Sequence, residues 1–482
     1  MARPVVCVVG AGTVGLEGLL AARAALGASV ELRLIAPDRE FRHRPMSAAS
    51  LFRPAPERGV SIAEIAGHAG ADRVADSAVA VYEVERQVLT RDGDTVDFDF
   101  LLLALGARSR RALRQGHLWQ RGGDPSFLDQ IISGILAGEV RSVAVAAPRG
   151  ARWPVPAYEL ALVLAWTAAG TEARVTLITA EEHPLAALGA EATDLVAREL
   201  DAAGVTVMGG VEPIDESRDD PDPAEPVRLV LAPADPSEMP IGGGSRVGFD
   251  RLISLPTVDG PFLAGVKTDA AGFIEVDEGL KVCASERVWA AGGCIAAALE
   301  LSALGALQAD AAIGAITAAI TGTEGDGAAW SSAAPELTGM LLSDQREQWL
   351  SENPAGTPQP STRCLWWPPG RAVGRMLAQQ IAAWDPSVHQ ALPDHTTGLP
   401  IHAPVALGCN EPTVGAGTEL TAVDRTARLR DIEQRQLMAI TRREHAADAE
   451  LRALDARLQT LKAHQKAVIG ELRQHGYLTH RA

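Results

Sequence analysis

Three glycines close to the start of the chain have the spacing of a phosphate-binding turn. Gly10, Gly12 and Gly15 form GxGxxG within "VCVVGAGTVGLEGLL", directly after a strand-like run and at the start of a helical one. The first glycine allows a tight turn, the second lets a pyrophosphate approach the backbone, and the third lets helix and strand pack closely. The motif predicts a dinucleotide site, the alternative being a glycine turn of purely structural use. The acid that usually binds the adenosine ribose is expected near Ala36, which has no such group, and Asp38 is the nearest candidate.

Apolar strand-like runs alternate with helical runs over the first two thirds of the chain. The series begins with "VVCVVG" and "VELRLIAP" and starts again with "RSVAVAAP" and "ARVTLITA". Such alternation predicts parallel sheets that are covered on both faces. We therefore predict an α/β protein with two doubly wound Rossmann-like domains, the second inserted in the first, followed by a loop-rich cap and a C-terminal heptad helix. The predicted bounds are 1–108 and 249–321 for the first domain, 109–248 for the second, 322–421 for the cap and 422–482 for the tail.

Composition narrows the classes of function. A length of 482 residues suggests two or three domains, and a formal net charge of −17 disfavours a nucleic-acid partner. The five cysteines form no CxxC, which predicts a reducing, cytoplasmic setting without a disulfide framework, and Cys283 and Cys294 are predicted to be small buried residues. No uninterrupted apolar stretch reaches the ~18 residues of a membrane span. The histidines form no HxxxH or His/Cys cluster, so no metal site is predicted.

Several further segments carry a family resemblance. The glycine motif, "APDREFRHRP", "LLLALGA", "ARWPVPAYELAL", "RLISLP", "GFIEVD" and "WAAGG" together resemble the two-dinucleotide-binding-domain flavoproteins, which include type II NADH dehydrogenases and sulfide:quinone oxidoreductases. The chain is most similar to an uncharacterised actinobacterial group of FAD-dependent oxidoreductases. The resemblance implies that FAD binds the first domain. It places the pyrophosphate at Gly12 and Gly15, and it places near the cofactor Arg44, Pro45, Ala104, Gly106, Gly292 and Gly293.

The chain also departs from that family. Gly293 stands where relatives commonly have an aspartate, and Glu300 stands where they often carry a lysine near the flavin ring. The strand "SVAVAAP" is followed by "RGARWPVPAYE" and not by a second GxGxxG, so NAD(P)H binding is doubtful. Trp153 replaces a redox cysteine of the sulfide-oxidising relatives, while Pro154 and Pro156 are typical of a helix start.

The tail has an apolar pattern of its own. From Leu437 to Leu472, apolar residues recur in steps of three and four, which is a heptad seam with polar interruptions at Glu444 and Gln465. A seam of this length must be buried, either on the body of the same chain or against another chain. We expect an antiparallel or heteromeric helical contact, and hence an oligomer or a protein partner.

These features favour one function and leave a second open. The first is an FAD-dependent oxidoreductase that passes electrons between an unidentified donor and a quinone-like or protein acceptor. The sequence provides no convincing acid, base or nucleophile, so the chemistry would be that of the flavin. The alternative is a catalytically silent scaffold or regulator that keeps the fold and has lost cofactor contacts at Ala36, Gly293 and Glu300.

Overall fold

The structure is a computed structural model. It describes residues 3–42, 59–120, 123–188, 190–216, 222, 224–235, 244–297, 302–322, 338–343, 346–351, 366–367, 371–372, 376–377, 379–380 and 409. The chain divides into two units, Met1–Asn410 and Glu411–Ala482, and the described residues all lie in the first. The predicted heptad tail therefore lies outside the described residues and stays a prediction.

The elements follow the alternation that the sequence predicts. The helices are α1 (Thr13–Leu26), α2 (Ile62–His68), α3 (Ser126–Leu136), α4 (Val155–Thr167), α5 (Ala190–Ala202) and α6 (Ser302–Thr321). The strands of the first half are β1 (Val5–Val9), β2 (Glu31–Ile35), β3 (Glu40–Phe41), β4 (Val60–Ser61), β5 (Ala71–Val74), β6 (Ala78–Tyr82), β7 (Gln87–Thr90), β8 (Thr95–Asp97), β9 (Phe100–Leu103), β10 (Arg108–Arg110), β11 (His117–Leu118) and β12 (Ser142–Ala147). The others are β13 (Arg174–Thr179), β14 (Thr206–Met208), β15 (Val211–Asp215), β16 (Val227–Pro233), β17 (Ser245–Phe249), β18 (Arg251–Ser254), β19 (Thr257–Asp259), β20 (Val288–Ala290), β21 (Thr338–Ser343), β22 (Arg346–Ser351), β23 (Trp366–Trp367) and β24 (Arg371–Ala372).

The first domain is built on a parallel sheet of order β20-β9-β1-β2-β5. Its central strands are almost wholly buried, which suits their runs of Val, Ile and Leu, and α1 and α6 pack on each other and on these strands. Helix α1 follows β1 through the glycine turn and ends at Leu26, and it is capped by Gly27, whose positive φ of 55° is one that glycine adopts easily. Because the strands are parallel, the glycine turn after β1 and the turn after β20 lie at the same edge of the sheet, the carboxyl edge.

The second domain is built on a parallel sheet of order β11-β18-β12-β13-β14. Strand β18 pairs with β12 in this sheet, so the predicted boundary at residue 248 is corrected: "RLIS" belongs to the second domain and not to the returning part of the first. Strand pairing depends on contacts across the sheet, which a local sequence pattern does not reveal. The antiparallel pair β10–β19 links the two domains, and the other domain bounds remain predictions.

One described helix is long and apolar enough to cross a membrane by length and composition. It is the part of α6 from Leu304 to Thr321, with a mean hydropathy of 1.4. Gln308 and Asp310 interrupt its apolar residues, so it is not an uninterrupted apolar stretch. Ala309, Ala312 and Ile316 are fully buried in it. A Cβ on Gly18 of α1 would lie within 4 Å of α6, so the two helices pack closely, as core helices of a globular domain do.

Two long-range links bind later parts of the chain to the first domain. The buried carboxylate of Glu17 in α1 accepts hydrogen bonds from the backbone N–H groups of Met376 and Leu377, both at 2.7 Å. Cys283 forms a disulfide with Cys409. The expectation of unpaired cysteines is therefore wrong for Cys283, although this residue is buried as predicted.

Candidate functional site

A cavity of about 610 Å³ opens at the carboxyl edge of the first sheet, where doubly wound domains bind ligands. It extends from the glycine turn to the junction with the second domain. Its lining contains most of the site residues predicted from the sequence, together with others from both domains. The predicted residues among them are Gly10, Gly12, Asp38, Ala104, Gly106, Gly292 and Gly293.

Each glycine of the GxGxxG motif meets a different steric requirement. Gly10 has a φ of 108°, and a Cβ there would overlap the carbonyl oxygen of Ala104. A Cβ on Gly15 would overlap the carbonyl oxygen of Gly10, which explains why Gly15 serves the fold without lining the cavity. A Cβ on Gly12 would meet no atom within 4 Å. The space in front of Gly12 is therefore open to a ligand, and Gly12, Thr13 and Val14 present the N-terminal end of α1 to it.

The end of the cavity beside β2 is polar. Ala36 is fully buried in the core and cannot reach a ligand, whereas Asp38 lines the cavity as an exposed carboxylate. Asp76 also lines this end, but its two oxygens accept hydrogen bonds from the backbone N–H groups of Ser77, at 2.6 Å, and Asp92, at 2.8 Å. Burial acts to raise the pKa of Asp76, and these hydrogen bonds lower it below its ordinary value. Asp76 thus supports the loop, and Asp38 is the carboxylate best placed for ribose hydroxyls.

The opposite end of the cavity is built by both domains. Ala104 and Gly106 follow β9, and Gly292 and Gly293 form a turn after β20. The second domain adds the pair Arg152–Trp153. Pro256 and Val258, on either side of the start of β19, add apolar surface, and Pro261 and Leu263 also line the cavity.

Some cavity residues were not found by sequence reasoning. Arg91 and Arg152 line the cavity, as do the prolines and apolar residues of its far wall. They come from turns that follow the strands or, for Val258, from the short strand β19, and none belongs to a spaced motif. The proline-rich segment after β12 was the one signal, and we interpreted Pro154 and Pro156 as a helix start. The structure confirms that interpretation, with Pro154 at the N-cap of α4.

The remaining predicted residues fall outside the cavity or outside the described part. Arg44, Pro45 and Glu300 lie outside the described residues. Cys294 is fully buried, and its thiol donates to the carbonyl oxygens of Leu103 and Ala291. Burial raises the pKa of Cys294 to about 11, against the effect of nearby backbone hydrogen bonds, so it stays a neutral thiol near pH 7. Among the described residues no group of three or more His, Cys, Asp or Glu side chains could hold a metal ion.

The carboxyl edge of the second sheet differs from that of the first, because the backbone amides there are missing or already hydrogen-bonded within the domain. Pro154 and Pro156 have no N–H groups, and the N–H of Ala157 donates to the carbonyl of Pro154 at 2.9 Å. The start of α4 therefore lacks most of the amides that a helix N-terminus offers to a phosphate. In the turn before it, the backbone N–H of Arg149 donates to the Glu212 carboxylate at 2.8 Å. Burial raises the pKa of Glu212, although the Arg149 amide and charge act in the opposite direction.

The turn after β13, at the same edge of the second sheet, is also closed by a hydrogen bond within the domain. Glu181 follows β13 much as Asp38 follows β2. The hydroxyl of Tyr158, a residue buried in α4, donates to the Glu181 carboxylate at 2.6 Å and accepts from the backbone N–H of Leu185 at 3.3 Å. Burial and the adjacent Glu181 raise the pKa of Tyr158 well above its ordinary value, so it remains a hydroxyl donor. An acid that could receive ribose hydroxyls therefore binds a tyrosine of its own domain.

Comparisons with known proteins agree with this architecture. Residues 159–320 match the family described as pyridine nucleotide-disulphide oxidoreductase. The sulfide:quinone oxidoreductase of Aquifex aeolicus is similar in structure, with a TM-score of 0.57 and 17% identity over 71% of this chain and 81% of that one. A ferredoxin reductase for the CYP199A2 system of Rhodopseudomonas palustris gives a TM-score of 0.51 and 18% identity over 76% and 85%. No curated protein matches the sequence. The predicted fold and the resemblance to the two-dinucleotide-binding oxidoreductases are confirmed, while the actinobacterial group is not tested by these matches.

Proposed function

We propose that this member of the FAD-dependent two-dinucleotide-binding oxidoreductases passes electrons from a donor other than NAD(P)H to a quinone-like or protein acceptor. The observation that carries the proposal is the contrast between its two sheet edges. The first has an open cavity in front of Gly12, and the second is closed by Pro156, Glu212 and Tyr158.

The residues at the first edge fit FAD. The open space at Gly12 would receive the pyrophosphate on the amides at the start of α1, and Asp38 would receive the adenosine ribose. Gly10 and Gly15 shape the turn, and Ala104, Gly106, Gly292 and Gly293 would lie along the rest of the cofactor. FAD would supply the two-electron chemistry, and the protein would bind it, orient it and set the electrostatics around it.

The closed second edge supports the exclusion of NAD(P)H. A dinucleotide there would have to displace the Glu212 carboxylate from the Arg149 amide and the Tyr158 hydroxyl from Glu181. Each of these hydrogen bonds involves a charged group, a class worth ~1.5–3 kcal/mol. The prolines at the start of α4 would still withhold amides from the pyrophosphate. Nicotinamide cofactors therefore have little to gain at this edge.

The proposed acceptor rests on the far wall of the cavity. Trp153, Pro256 and Val258 make this end apolar, which suits a planar, uncharged ring or an apolar patch on a protein. The two structures reported above are named for a quinone and for a ferredoxin system, and both kinds of acceptor fall within the proposal.

We also propose that the protein is cytoplasmic and that its tail binds a protein chain. The Cys283–Cys409 disulfide removes one premise of that localisation, which was that the cysteines are unpaired.

The absorption spectrum of the purified protein tests the proposal. We expect the flavin bands in the blue region, either as purified or after addition of FAD. A colourless protein that cannot be reconstituted would favour the silent scaffold, for which Ala36 and Gly293 are the supporting residues because neither has a side chain able to bind the cofactor. If the protein does bind FAD, we expect addition of NADH to leave the flavin absorbance in the blue region largely unchanged.

A further inference from the structure

Arg152 reaches from the second domain into a turn of the first. Its guanidinium donates to the carbonyl oxygen of Ile295 at 2.9 Å and to that of Gly293 at 3.5 Å. It also lies 4.1 Å from the ring centroid of the buried Phe273. The same turn is held from the other side, because the Gln308 side-chain oxygen accepts a hydrogen bond from the Gly292 N–H at 2.9 Å. Arg152 is therefore fixed in position beside the cavity that it lines.

The position of Arg152 in the cavity determines which part of FAD it would meet. The pyrophosphate at Gly12 and the ribose at Asp38 place the adenosine half beside β2. The other half must then extend along Ala104 and Gly106 to the wall where Arg152 and Gly293 lie. That half carries the isoalloxazine ring of the flavin, so the guanidinium lies at the end of the site that would hold this ring, here called the ring end.

We infer that Arg152 is a positioning residue of the FAD site, which holds the 292–295 turn against the cavity and brings a guanidinium to the isoalloxazine end of the cofactor. The inference rests on the proposed function. Two-electron reduction with uptake of one proton adds one negative charge to the cofactor, the electrons coming from the donor. A fixed guanidinium nearby stabilises that charge, and a site shielded from water strengthens the effect.

Two substitutions separate the charge of Arg152 from its role in fixing the turn. Arg152→Gln removes the charge and keeps one hydrogen-bond donor, whereas Arg152→Lys keeps the charge but loses the planar fork that reaches two carbonyls and stacks on Phe273. Arg110→Gln is the matched control, since Arg110 is an exposed residue of the linking strand β10, paired with Asp259 at 3.1 Å and outside the cavity lining. The dissociation constant of FAD and the reduction potential of the bound cofactor are measured for the full chain, the potential by titration with xanthine and xanthine oxidase against a reference dye.

The charge role predicts a different order of effects from a purely structural role. We expect Arg152→Gln to lower the affinity for reduced relative to oxidised FAD about tenfold, which is about 30 mV for a two-electron couple. Arg152→Lys should weaken FAD binding and leave the potential near that of the unsubstituted protein, as should Arg110→Gln. Equal potentials in all four proteins, or equal shifts in the glutamine and lysine variants, would overturn the inference alone. An unsubstituted protein that binds no FAD would overturn the proposed function as well.

Discussion

Gly12→Val is expected to remove FAD without unfolding the protein. Gly12 has φ −76° and ψ −176°, an extended conformation that any residue adopts, and a Cβ there meets no atom within 4 Å. The valine therefore fits the empty protein and occupies the space proposed for the pyrophosphate. Its branched side chain would block the approach of phosphate oxygens to the amides of Thr13 and Val14.

The size of the effect follows from the hydrogen bonds that would be lost. Two hydrogen bonds from backbone amides to a charged phosphate are worth ~1.5–3 kcal/mol each, and their loss costs ~3–6 kcal/mol. This corresponds to an increase of ~10²–10⁴ in the dissociation constant. Binding of FAD at ~100 times its dissociation constant stabilises the folded state by ~2.7 kcal/mol, so the unsubstituted protein should melt at a higher temperature with FAD and the variant should not.

The assay combines flavin absorbance of the purified protein with melting temperatures measured with and without FAD. Gly67→Val is the control, because Gly67 is an exposed residue of α2 with the same open space and lies outside the cavity lining. Gly15→Ala is a contrasting variant, which should destabilise the protein itself because its Cβ would overlap the carbonyl oxygen of Gly10. Full flavin occupancy in Gly12→Val would refute the proposed position of the cofactor.

Three further predictions concern other parts of the chain. NADH and NADPH should reduce the bound flavin poorly, and rapid bleaching at micromolar NADH in stopped flow would contradict the closed second edge. Burial and the charges of Arg251 and Arg111 lower the pKa of His117 below its ordinary 6.5, so the unfolded state takes up the proton first and folding stability falls as the pH drops through 6.5 towards the folded pKa. In the unsubstituted protein the His117 ring stacks on Phe127, with 4.4 Å between the ring centroids, and His117→Phe keeps this stack. The free energy of unfolding of the variant should exceed that of the unsubstituted protein, and the difference should be larger at about pH 5.5 than at about pH 7.5. A difference that does not depend on pH would contradict this prediction. Deletion of residues 425–482 should change the oligomeric state and leave the flavin domains folded, and light scattering that finds one subunit composition for both proteins would argue for a tail packed on its own chain.

The sequence predicts the elements around the first cavity well because their signals are local. Strand β1, the glycine turn and helix α1 lie within residues 5–26, and the three glycines meet requirements set by close neighbours in the fold. The shift from Ala36 to Asp38 could also be predicted, since the side chain two residues further along the same turn lines the cavity. The binding role of these residues remains a proposal.

Other features depend on contacts between distant segments, which the spacing of residues in one sequence does not indicate. Cys283 and Cys409 are separated by 126 residues and belong to no cysteine motif. The link between Arg152 and the turn at Gly293 joins two domains, and Glu212 reaches Arg149 across 63 residues. In each case a residue of ordinary type acquires its role from the partner that the fold provides.

The two strand-turn-helix units of this chain lead to a conclusion about its reaction cycle. After β1 the turn leaves Gly12 open to the cavity, whereas after β12 the turn is closed by the domain's own Glu212 and prolines. If the second edge takes no nicotinamide cofactor, as we propose, one sheet edge among the described residues would receive a dinucleotide and the donor would have no separate nicotinamide cleft. The donor and the acceptor would both have to approach the ring end of the same cavity, where Arg152 and Trp153 meet the first domain. If the two substrates share that approach, one must leave before the other enters, and the cofactor must hold the electrons in between. The guanidinium of Arg152, placed as we propose, would stabilise the reduced cofactor during that interval.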